Sequence, residues 1–173
     1  MGVDCRILSG TSGGERHTWN IVRIGDRYFY LDPTWDSQLG GSSGEYFLRG
    51  YLDFDDFSRE NAHIPVYEYT EIFPDYESAE FKAAYPQAET KFIFGDADGN
   101  GVVDGNDASY VLSCYSLMSV NSSGFSMPPV QSAAADINGD CVTDGNDASG
   151  LLAYYAVVSS GKVRSLNEYL RGE

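Results

Sequence analysis

The sequence predicts two domains of different class: an α+β domain with an antiparallel sheet over residues 1–74, and an all-α domain over residues 95–173. A linker or short helix joins them at 75–94. Three observations predict this division. Between residues 16 and 36, "RHTWNIVRIGDRYFYLDPTWD" holds two runs of strand-forming residues around Gly25-Asp26. An acidic window of twelve residues occurs twice, "DADGNGVVDGND" at 96–107 and "DINGDCVTDGND" at 136–147. After each window apolar residues recur at helical spacing, Ala108, Val111, Leu112 and Tyr115 in the first, Ala148, Leu151, Leu152 and Tyr155 in the second.

Composition narrows the partners. With 26 acidic against 11 basic residues and a net charge of -15, nucleic acid and anionic membranes are repelled, and cations are the natural ligands. No stretch approaches the roughly 18 apolar residues of a membrane span. The opening "MGVDCRILSG" lacks the basic start and apolar core of a secretory signal, so the natural protein is expected to begin elsewhere. Cys5, Cys114 and Cys141 are odd in number and form no CxxC pair, which indicates neither a zinc knuckle nor a closed disulfide framework.

Taken in order, "CRILSG" is strand-like and the next two runs form a hairpin. With Gly25 and Asp26 as the turn, Ile24 faces Arg27, Trp19 faces Asp32 and His17 faces Thr34. His17 and Asp32 then become diagonal neighbours, about 7–8 Å apart at their α-carbons and within reach of an imidazole–carboxylate hydrogen bond. Such a pair is half of a nucleophilic triad: the carboxylate fixes the tautomer and stabilises the imidazolium, and the imidazole deprotonates a thiol or hydroxyl. A single His near a single Asp is also a common structural pair. "SQLGGSSG" at 37–44 is a flexible loop, and "GEYFLRGYLDFDDFSRENAHIP" supplies the last strands or helix of the domain. His63 has no assigned partner and reads as a surface or core histidine. "PDYESAEFKAAYPQAETK" is a short helix bounded by prolines, followed by linker.

The stretch "CRILSGTSGGERHTWNIVRIGDRYFYLDPTWD" resembles the carboxyl-terminal half of a transglutaminase-like domain, in which a His-x-Trp-Asn strand and an Asp-Pro-Thr-Trp strand supply two members of a Cys-His-Asp triad. The resemblance spans residues 1 to about 63 and matches His17 and Asp32 to those members. It implies a nucleophilic cysteine several tens of residues before the histidine. Cys5 lies only twelve residues before His17 and is read as structural. The chain is therefore expected to begin midway through that domain and to lack catalysis by itself.

The doubled window fits calcium. This hard cation takes six to eight oxygens at about 2.3–2.6 Å, which a twelve-residue loop supplies from positions 1, 3, 5, 7, 9 and 12. The first loop offers Asp96, Asp98, Asn100, the carbonyl of Val102, Asp104 and Asp107; the second offers Asp136, Asn138, Asp140, the carbonyl of Val142, Asp144 and Asp147. Solvated Asx-turns are the plainer reading, but two matches in one register weigh against it. Carboxylates crowded in this way repel unless an ion neutralises them, so metal binding and folding are expected to be one event. Position 6 calls for glycine; Gly101 provides it, whereas Cys141 does not and predicts strain of roughly 1–2 kcal/mol. "KFIFG" before the first loop reads as extended, and the prolines of "MPPVQS" before the second resist helix, which gives loop-plus-one-helix units.

Residues 95 to about 161 resemble a type I dockerin, the calcium-dependent plug by which cellulosomal proteins attach to the cohesin modules of a scaffoldin. The resemblance implies two calcium ions and an extracellular, secreted, cellulosome-associated protein. It also implies a cohesin-binding surface formed by Gly105, Asn106, Leu112 and Ser113 in the first repeat, and by Gly145, Asn146, Leu152 and Ala153 in the second. Gly-Asn stands where many members carry Ser-Thr, which leaves the cohesin class open. Repeats related by a near two-fold can offer either helix to one partner in opposite orientations. Ala108, Val111, Tyr115 and their counterparts are expected in the core, with Leu112 and Leu152 at its edge.

Two other functions compete with docking. One is a transglutaminase-like or cysteine-peptidase-like enzyme whose nucleophile lies upstream. The other is a calcium sensor, which calls for complete helix-loop-helix hands and a methionine-rich groove; three methionines and no entering helices weigh against it.

Overall fold

Strand-forming alternation builds the first part of the fold. A computed structural model describes residues 3–38, 44–54, 62–66, 78–120, 124–161 and 165–172. The chain divides into two units, Met1–Phe92 and Ile93–Glu173. In the first, β1 (Cys5–Ser12), β2 (Glu15–Ile24), β3 (Arg27–Leu31) and a two-residue β4 (Ile64–Pro65) form an antiparallel sheet in the order β3-β2-β1-β4. The Gly25-Asp26 turn sets the β2–β3 register as predicted, with Ile24 opposite Arg27 and Asn20 opposite Leu31. Leu8, Trp19, Ile21 and Tyr28 project from the strands into a core closed by Phe54 and by Phe81 of α2 (Ala79–Ala84). The outer edge of β3 is covered rather than bare: Tyr28 exchanges backbone hydrogen bonds with Pro86 and Ala88, and Tyr30 exchanges them with Arg49.

The predicted Asp-Pro-Thr-Trp strand is instead the start of a helix, α1 (Pro33–Gln38). Pro33 takes the first helical position, where a missing N–H costs nothing, and Asp32 accepts hydrogen bonds from the Thr34 and Trp35 N–H groups on its Oδ1 at 2.9 and 3.1 Å. A carboxylate cap follows β3, which ends at Leu31, so His17 has no strand partner at Thr34. The loop read at 37–44 falls largely outside the described residues.

The predicted fold class requires correction. The chain is α+β, with an antiparallel sheet and six helices among the described residues, and it is not an all-α dockerin. Within Ile93–Glu173, α3 (Gly105–Val120) and α5 (Gly145–Ser159) follow the two acidic loops, α4 (Pro129–Ala135) precedes the second, and α6 (Leu166–Arg171) closes the unit. The scheme of loop-plus-one-helix units thus fails at the second loop. Pro128 sits at the N-cap of α4 and Pro129 opens the helix. Proline at that position forfeits no hydrogen bond and starts the helix it was expected to break.

Helix α3 packs on α5. Asp107, Ala108, Val111 and Cys114 are buried on one, and Asp147, Ala148, Leu151 and Tyr154 on the other. Ala97 and Ile137, at the second position of each loop, join the same core with Ala135, Met127 and Leu166. The expected core stripe is correct for Ala108, Val111, Ala148 and Leu151 but not for the tyrosines. Tyr115 and Tyr155 are exposed, and Cys114 and Tyr154, one residue earlier, turn inward. No described helix is long and apolar enough to cross a membrane.

Candidate functional site

In the first unit, three side chains from separate elements meet. Asp32 is wholly buried between β3 and α1, and its Oδ2 bonds the Nε2 of His17 and, at 2.8 Å, the Nε2 of His63. His17 comes from β2, and His63 stands just before β4. These are the only two histidines in the chain. Burial alone would raise the Asp32 carboxyl, but the bonds from His63, His17 and the Trp35 N–H outweigh it and hold it below the ordinary carboxylate range. His63 is packed among the rings of Trp19, Trp35, Tyr46 and Phe54, with centroids 4.7–6.1 Å from its own. His17 retains some exposure and lines an open cleft of about 410 Å³ with Ser9, Gly10, Arg16 and Thr18.

Among the described residues of the first unit, no thiol lies beside this imidazole pair. Gly10 is the β1 partner of His17 and Cys5 lies five residues further along the strand, roughly 17 Å away at about 3.4 Å per residue. Asn20 Nδ2 approaches the Cys5 sulfur at 3.6 Å. Cys114 and Cys141 belong to the second unit.

The acidic loops are held open by their own backbone. In the first, Asp96 accepts from the Asn100 and Gly101 N–H groups, Asn100 from Val102, and Asp107 from Asp98 and Asp104. Asp96, Asp98 and Asp107 each bring a carboxylate oxygen within 4.8 Å of the others. Asp104 is not in that group; its Oδ1 caps α3 through the Asn106 N–H at 2.6 Å.

The second loop repeats the bonding. Asp136 accepts from Gly139, Asp140 and Cys141, Asp140 from Val142, and Asp147 from Ile137 and Asp144. Asp144 caps α5. Among the described residues no carboxylate triad gathers here, because position 3 is Asn138, whose Nδ2 donates to Asp140 at 3.1 Å. Val102 and Val142 point their side chains outward, 58% and 55% exposed, which leaves only their carbonyls for the loop interior.

Burial raises the carboxyls of Asp96, Asp107 and Asp147 above the ordinary range, and a neighbouring carboxylate adds to it, Asp98 for the first two and Asp136 for the third. Backbone N–H donors pull each of them the other way. Cys141 takes φ 65°, the left-handed conformation that glycine holds at Gly101 with φ 90°.

The residues that the dockerin resemblance assigns to a partner lie on α3 and α5. Asn106, Leu112 and Ser113 are exposed, as are Asn146, Leu152 and Ala153, and Gly105 and Gly145 are half-buried. Sequence reasoning left His63 without a partner and placed Tyr115 and Tyr155 in the core, whereas His63 joins the Asp32 centre and both tyrosines are exposed on the helix surface. No family model matches the chain, and no curated protein matches it.

Proposed function

We propose that Ile93–Glu173 is a calcium-dependent docking module that attaches its protein to a cohesin module of a scaffoldin. The matched outer faces of the two repeats carry this reading. Leu112 and Leu152 are 45% and 46% exposed, and Tyr115 and Tyr155 are 45% and 44% exposed. Large apolar side chains placed alike on two packed helices are the type of residue that anchors an interface. Each pair stands on a helix whose first turn is fixed by an acidic loop, so an ion bound in the loop orients the apolar face. The sequence resemblance to dockerins supplies the class of partner. On this reading the protein works outside the cell, secreted and held in a cellulosome.

The test is binding to a panel of cohesins in calcium and in excess chelator. Binding in calcium and its loss on chelation is expected, with Asp107→Ala weakening the first loop and Leu112→Ala plus Leu152→Ala together lowering affinity at least tenfold. Calcium-loaded protein that binds no cohesin, or binding indifferent to chelation, refutes the proposal. A stable complex should bury about 1,200 Å² or more.

A further inference from the structure

The Asp32 centre has more donors than a structural pair requires. Oδ1 of Asp32 already accepts from two helix N–H groups and one imidazole is enough to satisfy Oδ2, yet two converge on Oδ2 from positions 46 residues apart in sequence. One donor atom from each of His17, Asp32 and His63 lies within 4.8 Å of the others. Zinc bonds of about 2.0–2.2 Å place neighbouring ligand atoms roughly 3.3 Å apart. The 2.8 Å contact between His63 and Asp32 therefore needs to open by only about half an ångström.

The surroundings favour an ion. Oδ1 of Asp32 is fixed by Thr34 and Trp35, so the carboxylate is oriented by its backbone neighbours and Oδ2 is left to the centre. Aromatic rings keep water from the His63 side, and the cleft beside His17 leaves one direction open.

We propose that His17, Asp32 and His63 form a binding site for one zinc-class divalent ion, with the cleft side as its open coordination position. Two imidazoles and one carboxylate suit zinc and its neighbours and do not suit calcium, which takes oxygen. When Nε2 takes the metal, each neutral imidazole carries its proton on Nδ1 instead, and the bond to Asp32 is replaced by a shared bond to the ion.

The experiment uses the full chain saturated with calcium, so that the acidic loops are occupied. Zn²⁺ is titrated by calorimetry, and Co²⁺ by visible absorption and by quenching of Trp19 and Trp35. One Zn²⁺ per chain and a cobalt band are expected. His17→Gln, His63→Gln and Asp32→Asn should each weaken Zn²⁺ binding by about 100-fold or more. Ser9→Ala, which alters the cleft but no ligand, should leave it unchanged. His63 and Asp32 are buried, so if their variants do not fold, His17→Gln with a native near-ultraviolet dichroism spectrum decides. Absence of Zn²⁺ binding by the calcium-loaded chain, or binding by His17→Gln equal to wild type, overturns the proposal.

Discussion

Gly10→Ala tests the geometry that brings His63 to Asp32. A methyl built on Gly10 falls onto the Ile64 carbonyl oxygen, closer than real Cβ atoms come, and lies 2.8 Å from the Trp19 Cη2 and 2.9 Å from the Ile64 carbonyl carbon. Two of these obstacles are backbone, so no rotamer change relieves them. β4 must move away, and with it His63, the residue next to Ile64. Overpacking of this kind costs about 1–3 kcal/mol. Losing the His63 hydrogen bond to a charged carboxylate costs about 1.5–3 kcal/mol. The smaller conformational freedom of the unfolded alanine chain offsets about 0.4–1 kcal/mol. The net expectation is a loss of about 2–5 kcal/mol from the first unit. The chain's two tryptophans, Trp19 and Trp35, both lie in that unit, so urea unfolding followed by tryptophan fluorescence reports on it alone. A Gly10→Ala midpoint corresponding to less than about 0.5 kcal/mol of destabilisation refutes the reasoning, because substitutions without a steric cause fall in that range.

Three further expectations follow from individual side chains. Burial, reinforced by the 2.6 Å hydrogen bond to Asp4, raises the Tyr28 hydroxyl above its ordinary value. Its contribution to stability is therefore complete below the unfolded tyrosine value near pH 10 and disappears as pH rises through the folded one. Tyr28→Phe should cost about 0.5–1.5 kcal/mol at neutral pH and show a shallower alkaline loss, measured by urea unfolding from pH 7 to 11. Cys141→Gly, at φ 65°, should stabilise the second loop by about 0.5–1 kcal/mol, seen as a higher thermal midpoint of the helical signal. Leu151→Ala should cost about 2–5 kcal/mol in chemical denaturation, whereas Leu152→Ala on the exposed face should stay within about 0.5 kcal/mol.

The sequence made the hairpin legible because Gly25-Asp26 fixes the pairing of every residue behind it, and that pairing carries His17 toward Asp32. His63 was not legible. The strand beside it is two residues long and carries no period, and His63 meets Asp32 from 31 positions away. Helix α4 was hidden by two prolines, since proline reads as a breaker unless it is known to sit at the first turn. The loops were legible because each residue's place in a twelve-residue frame has one chemical duty. Their difference at position 3, Asp98 against Asn138, was equally visible, but its effect on how the carboxylates gather needed coordinates. The rotation that exposes Tyr115 and buries Cys114 also escaped, because an apolar stripe tells which residues prefer the interior without saying which neighbour the interior has room for.

The brevity of β4 makes the histidine beside it a fastener as well as a donor. Two residue pairs, with the adjoining Val66 N–H to Ser9 carbonyl bond at 3.0 Å, form a short ladder, and the grip of Asp32 on His63 adds to what pins this segment to the sheet. The linkage is reciprocal. Whatever occupies or vacates the imidazole should change how long the Val66 amide resists exchange with deuterated solvent, which makes that one proton a remote gauge of the centre.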